Sequence, residues 1–118
     1  MRYVIVVYET DADLKTRSDP DTAGPYMAAY ASYAAALNQA GVGAGGSGLQ
    51  PIDTATTIRV RDGKRHVQDG PFADTKERLG GFFLIDVPNL DIALDWAARC
   101  PAASSACVEV RPELPPPT

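Results

Sequence analysis

A chain of 118 residues, 45% of them hydrophobic, has room for one domain and buries roughly two-thirds of its unfolded surface without staples. Fifteen acidic residues against eleven basic ones give a net charge of −4, and no basic block occurs, which argues against a surface that tracks a nucleic-acid backbone. Two cysteines, Cys100 and Cys107, and a single histidine, His66, make neither a disulfide framework nor a spaced ligand set, so reduced, buried thiols are expected and no metal or cofactor.

The chain opens on Tyr3-Val4-Ile5-Val6-Val7-Tyr8, β-branched and aromatic throughout, with Tyr3, Ile5 and Val7 on one face and Val4, Val6 and Tyr8 on the other. Both faces need cover. The run is too short for a signal segment, and nothing approaches a membrane span, so a cytoplasmic protein is expected. Residues 9 to 22 are polar and rich in Asp and read as a long loop. Gly24-Pro25 reads as a helix start and Gly41 as its stop. Tyr26, Tyr30, Tyr33 and Leu37 then form a narrow stripe that packs on a sheet, while their hydroxyls require partners and suit a cavity or interface.

Residues 41 to 48 contain G-x-G-x-x-G, but a helix precedes and Leu49-Gln50-Pro51 follows, the wrong context for a dinucleotide site. The glycines read instead as a flexible entry to a second strand. Residues 55 to 61 and 64 to 69 flank Asp62-Gly63, a strong two-residue hairpin signal. That register puts Ile58, Val60, Val67 and Asp69 on one face and Thr57, Arg59, Arg61, Lys64, His66 and Gln68 on the other. Asp69 therefore points to an apolar side, where a carboxylate is costly unless paired. Phe82 to Val87 is apolar on both faces and reads as a central strand, Asn89 caps a helix from Leu90 to about Cys100, and residues 106 to 111 form a last strand. Residues 112 to 118, rich in proline, are expected to fray.

Strand, helix, strand, hairpin, strand, helix, strand is the α+β, ferredoxin-like order: an antiparallel sheet, two helices on one face and an inserted β-hairpin, the whole chain forming one domain. The other sheet face is left bare with apolar residues on it. A second copy laid face to face covers it, giving a homodimeric α+β barrel.

The run Asp69-Gly70-Pro71-Phe72-Ala73-Asp74-Thr75-Lys76-Glu77, followed by Gly80-Gly81-Phe82-Phe83, closely resembles the motif that names the DGPF family, part of the YCII-related proteins. The resemblance extends through the glycines before Leu49-Gln50-Pro51, the Thr57 to Lys64 hairpin and Val108-Glu109-Val110-Arg111-Pro112; Asp74 stands where Glu is commoner. It implies a dimeric α+β barrel, no established reaction, and members beside or fused to extracytoplasmic-function sigma factors. Simpler YCII-type proteins are thought to carry a His near the first helix and an Asp in an Asp-Pro-Tyr segment after the second. Here the first helix has no histidine and the latter place reads Cys100-Pro101-Ala102, so no acid-base role carries over.

The expected site is a small-molecule cleft under the loop from Asp69 to Arg78. Asp69 is its acceptor or base, Lys76 and Arg78 hold an anionic or carbonyl group, and Gly70, Pro71, Phe72 and Glu77 shape the corner, with Tyr26 or Tyr30 as a wall. The alternatives are a regulatory or protein-interaction module with a sigma factor as partner, and a structural clamp in which Asp69 bonds its own turn.

Overall fold

The computed structural model describes residues 1–72 and 75–117. Its elements are β1 (Arg2–Glu9), α1 (Asp11–Ser18), α2 (Pro20–Gln39), β2 (Gly43–Gly48), a 3-10 turn at Ile52–Thr54, β3 (Thr56–Arg61), β4 (Lys64–Asp69), β5 (Arg78–Asp86), α3 (Leu90–Ala98), α4 (Ala102–Ser105) and β6 (Val108–Pro112).

Four strands make an antiparallel sheet in the order β2-β5-β1-β6, with the two most apolar strands at its centre. Ile5 faces Phe83 on one side and Val110 on the other. Tyr3, Ile5, Val7 and Ile85 close a core with Tyr33 and Leu37 of α2 and Ala93, Ala97 and Cys100 of the α3 region, so both long helices cover the same sheet face. This is the ferredoxin-like α+β arrangement, and the hairpin β3-β4 is inserted into it as a separate two-stranded sheet. The Tyr33 hydroxyl donates to the Trp96 carbonyl at 2.8 Å and ties the two helices together.

The segment read as a loop is mostly helix. Thr10 and Asp13 form a reciprocal capping box that starts α1, and the Asp19 carboxylate then caps α2 with Pro20 in its first turn. Capping here outweighs composition: a run of Asp is polar, but acidic residues in first turns complement the helix dipole. The true start of α2 lies four residues before Gly24, and Pro25 is accommodated inside the helix. Its end is as expected, Gly41 at φ 73 with Val42 N–H bonded to the Leu37 carbonyl.

The glycines 43 to 48 are not an entry to a strand but the edge strand itself, with Gly46 opposite Phe83 and Gly48 opposite Gly81. A Cβ on Gly46 would stand 2.5 Å from the Phe82 carbonyl oxygen, so the close backbone approach selects glycine. The hairpin register is the expected one, Arg61 with Lys64, Arg59 with His66 and Ile58 with Val67, and both turn residues have positive φ, 53 at Asp62 and 74 at Gly63. Its apolar face is not buried in the chain. Ile58, Val60 and Val67 are 52%, 57% and 61% exposed, and Asp69 on the same face is exposed too, so its carboxylate is solvated rather than confined. The proline-rich tail is anchored as far as Glu113, whose N–H bonds the Arg2 carbonyl and whose carboxylate pairs with Arg2.

Candidate functional site

Alternation along β1 decides the chemistry of the helix side of the sheet. Tyr3, Ile5, Val7 and Glu9 share one face, so a strand that is apolar for three positions delivers a carboxylate at the fourth, and Glu9 is 3% exposed. A buried carboxylate needs a partner. The capping box turns the chain back so that α1 returns over the strand end and presents Arg17, whose Nη1 lies 2.9 and 3.1 Å from the two Glu9 oxygens while Nη2 donates to the Leu49 carbonyl. The Glu9 side chain crosses above Gly80, where a Cβ would come within 2.9 Å of its Cδ.

Above this pair lies a cavity of about 330 Å³ between α2 and the sheet. Its walls are Tyr26, Met27, Tyr30 and Ala31 from the helix, Leu49 just after β2, and Gly80, Gly81 and Phe83 of β5, with Glu9 and Arg17 among the polar groups. Tyr26 donates to the Glu9 Oε2 at 3.4 Å, and its ring tilts at 51° against that of Tyr30 with centroids 5.4 Å apart. Burial, then the charge of Glu9, raises the Tyr26 pKa; burial foremost raises that of Tyr30. Both hydroxyls therefore hold their protons as donors near neutral pH.

The expected site residues fall in several places. Tyr26 and Tyr30 line this cavity. Arg78, paired across the strands with Glu9, reaches the Asp11 carboxylate and ties β5 to the start of α1. Lys76 and Glu77 border a second depression, of about 400 Å³, with Tyr8, Thr75, Cys107 and Glu109. There the Cys107 thiol lies 3.0 Å from the Glu77 carboxylate, and this hydrogen bond pushes its pKa up to about 11. Asp69 and Gly70 end the hairpin, where the Gly70 N–H bonds the Ala55 carbonyl and its own carbonyl accepts from the Thr57 hydroxyl. Phe72 lies beneath the Arg59 guanidinium, 4.9 Å from ring centre to carbon, and the chain bends at Gly70 and at Phe72 on either side of Pro71. Ala73 and Asp74 lie outside the described residues.

Glu9 and Arg17 were not among the expected site residues. The signal was present: Glu9 continues the two-residue period of Tyr3, Ile5 and Val7, and Thr10-x-x-Asp13 marks a helix start. Among the described residues, no group of three or more His, Cys, Asp or Glu side chains is placed to hold a metal ion.

The model of the YCII-related domain matches residues 1–115 of the chain. The chain belongs to the YCII-related family. An uncharacterized protein of Rhizobium meliloti (strain 1021) is 50% identical over 66 residues, 54% of this chain and 53% of the relative, so the chain spans about half the length of the curated relative it matches. Within this YCII-related chain the single histidine, His66, sits on the exposed hairpin strand β4, far in sequence from the tyrosines of α2. The titratable groups of the helix-side cavity are a glutamate, an arginine and two tyrosines.

Proposed function

We propose that this YCII-related protein binds a small molecule in the cavity between α2 and the sheet, and does so as a cytoplasmic homodimer. The carrying observation is the Glu9–Arg17 pair, whose side chains are 5% and 17% exposed, at the end of an otherwise apolar cleft. Clefts of this kind, mostly apolar with a few convergent polar groups, are the usual form of small-molecule sites. In this reading Tyr26 and Tyr30 contact the ligand and Arg78 braces the Glu9 strand. Asp69, Gly70, Pro71, Phe72, Lys76 and Glu77 belong to the outer loop and complete a rim when a second protomer is present.

Support for a second copy comes from shape and composition. The chain measures 49 × 46 × 19 Å with a radius of gyration of 16.1 Å, against about 13.5 Å for a compact domain of this length. The sheet face away from the helices carries Val4, Val6, Tyr8, Phe82 and Leu84, all only half-buried. Free Cys100 and Cys107 suit a reducing compartment, and no helix of the described residues is long and apolar enough to cross a membrane.

Thermal melts with a panel of apolar metabolites test the reading. A ligand-induced rise in Tm that disappears in Ala31→Trp, which fills the cleft from its helix wall, is expected; shifts unaltered by that variant would place binding elsewhere. Sedimentation at micromolar concentration is expected to show a dimer, and a well-folded monomer refutes it.

A second reading, a regulatory module that docks on a protein such as a sigma factor, draws on the exposed Ile58, Val60 and Val67 face of the hairpin. Val67→Asp separates the two: it abolishes such docking and leaves metabolite shifts intact.

A further inference from the structure

We propose that the β3-β4 hairpin is an arm that docks on a second copy of this chain, laying Ile58, Val60 and Val67 on the partner's bare sheet face and sending Arg65 into the depression beside the partner's Glu109. The docking rests on the homodimer reading and names what each protomer lends the other.

The hairpin turns its polar side to its own chain. Thr57 and Arg59 are the half-buried residues of β3: the Thr57 hydroxyl donates to the Gly70 carbonyl at 2.8 Å, and the Arg59 guanidinium lies over the Phe72 ring. The apolar face looks outward, with Ile58, Val60 and Val67 all more than half exposed and every residue of β4 exposed. Two strands by themselves are marginally stable in water, so an apolar face left open on them calls for cover.

Charge says what covers it. Arg59, Arg61, Lys64 and Arg65 are four of the chain's eleven basic residues and stand against Asp62 and Asp69, so the arm is basic while the remaining seven basic and thirteen acidic residues make the body acidic. Among the described residues, none of these four cations forms an ion pair. The pairing of Val60 with Arg65 puts Arg65 on the apolar face, beside Val67. On the body, Val6 stands opposite Glu109, so the sheet face that carries Val4, Val6, Tyr8 and Phe82 ends in a carboxylate. Glu109 borders the depression of about 400 Å³ with Tyr8, Glu77 and Cys107, and Lys76 is the one cation on its lining. An apolar strip that ends in a cation thus matches an apolar strip that ends in carboxylates, and a two-fold axis makes the contact twice per dimer. The depression, open in one protomer, is filled by the arm of the other.

Sedimentation equilibrium of the full chain tests this with Arg65→Glu, Glu109→Arg and the two combined, and with Lys64→Glu, the same charge change on the hairpin's other face. All three positions are exposed, so far-ultraviolet circular dichroism is expected to be unchanged. Each of the first two substitutions is expected to weaken the dimer about tenfold, because symmetry removes the contact twice, and the double variant to return to within about threefold of the parent. Lys64→Glu is expected to change dimerisation by less than about threefold, as a solvated charge off the contact does. A dimer that persists through Arg65→Glu, as docking of the arm on a different protein would give, overturns the proposal and leaves the homodimer standing. A dimer that the double variant fails to restore, or that Lys64→Glu weakens as much as Arg65→Glu, overturns it as well. A parent protein that is monomeric at micromolar concentration removes the homodimer reading and the arm together.

Discussion

Along α2, residues 33 to 37 and residues 26 to 30 present the same stripe to the same sheet and meet it differently. In the first half Tyr33 packs edge-on against Phe83 at 5.1 Å and Leu37 is 2% exposed, so both side chains belong to the core, with a smaller cavity of about 220 Å³ beside them against Gly43, Gly45 and Gly46. In the second half the sheet offers Gly80, Gly81 and Gly48, which fill nothing, and Glu9, which is held down by Arg17. Tyr26 and Tyr30 thus border a cavity rather than a core. One helix packs into the core at one end and borders the larger cleft at the other, where Gly48, Gly80 and Gly81 and a tethered Glu9 face it.

The largest effect is expected at the open end, where removing one charge strands another. Glu9→Ala leaves Arg17 part-buried without its partner and should lower stability by about 3–5 kcal/mol in denaturant unfolding. A loss below about 1 kcal/mol would mean that water already serves the pair and that the two ends differ less than their burial suggests. At the closed end, Leu37→Ala should cost about 2–5 kcal/mol through lost burial and a residual void. The equivalent truncation to test beside it is Met27→Ala on the cavity wall, half exposed, for which a loss under about 1 kcal/mol is expected. Equal losses at the two positions would erase the contrast.

Ala34 sits at the junction of the two halves and lines the void. Ala34→Leu should fill space that is empty, raising stability by about 0.5–2 kcal/mol while ligand-induced Tm shifts shrink, a stability gain made at the cost of binding. A destabilised variant would show that the helix cannot move outward there.

Alkaline titration probes both halves at once. Burial, foremost, raises the folded-state pKa of Tyr26, Tyr30 and Tyr33 above the ordinary 10.0. The folded chain therefore keeps protons that the unfolded chain releases, and the stability these groups contribute is full below pH 10 and falls as pH rises beyond it. Tyrosinate absorbance from these three should appear together with unfolding. Ionisation of any of them well before loss of the far-ultraviolet signal would mark that hydroxyl as open to water, and it is expected at neither end of α2.

Much of this was present in the order of residues. The period of two in Tyr3 to Val7, the Asp62-Gly63 turn, Asn89 before α3 and Gly41 after α2 depend on interactions within a few residues, so local chemistry determines them and the ferredoxin-like order follows. The motif from Asp69 to Glu77 with its flanks likewise pointed to the YCII-related family. Tertiary structure alone decided the rest. Whether Asp11 to Ser18 is loop or helix turned on a capping box that only pays out once α1 has β1 and α2 to rest on, and a bare glycine run became an edge strand because β5 stood ready to pair with it. Most of all, the cavity joins Glu9, Arg17 and Tyr26 with Gly80, which lie on four different elements. No spacing along the chain encodes that meeting, since it arises from a strand end, a returning helix and a glycine that leaves room for the carboxylate to cross.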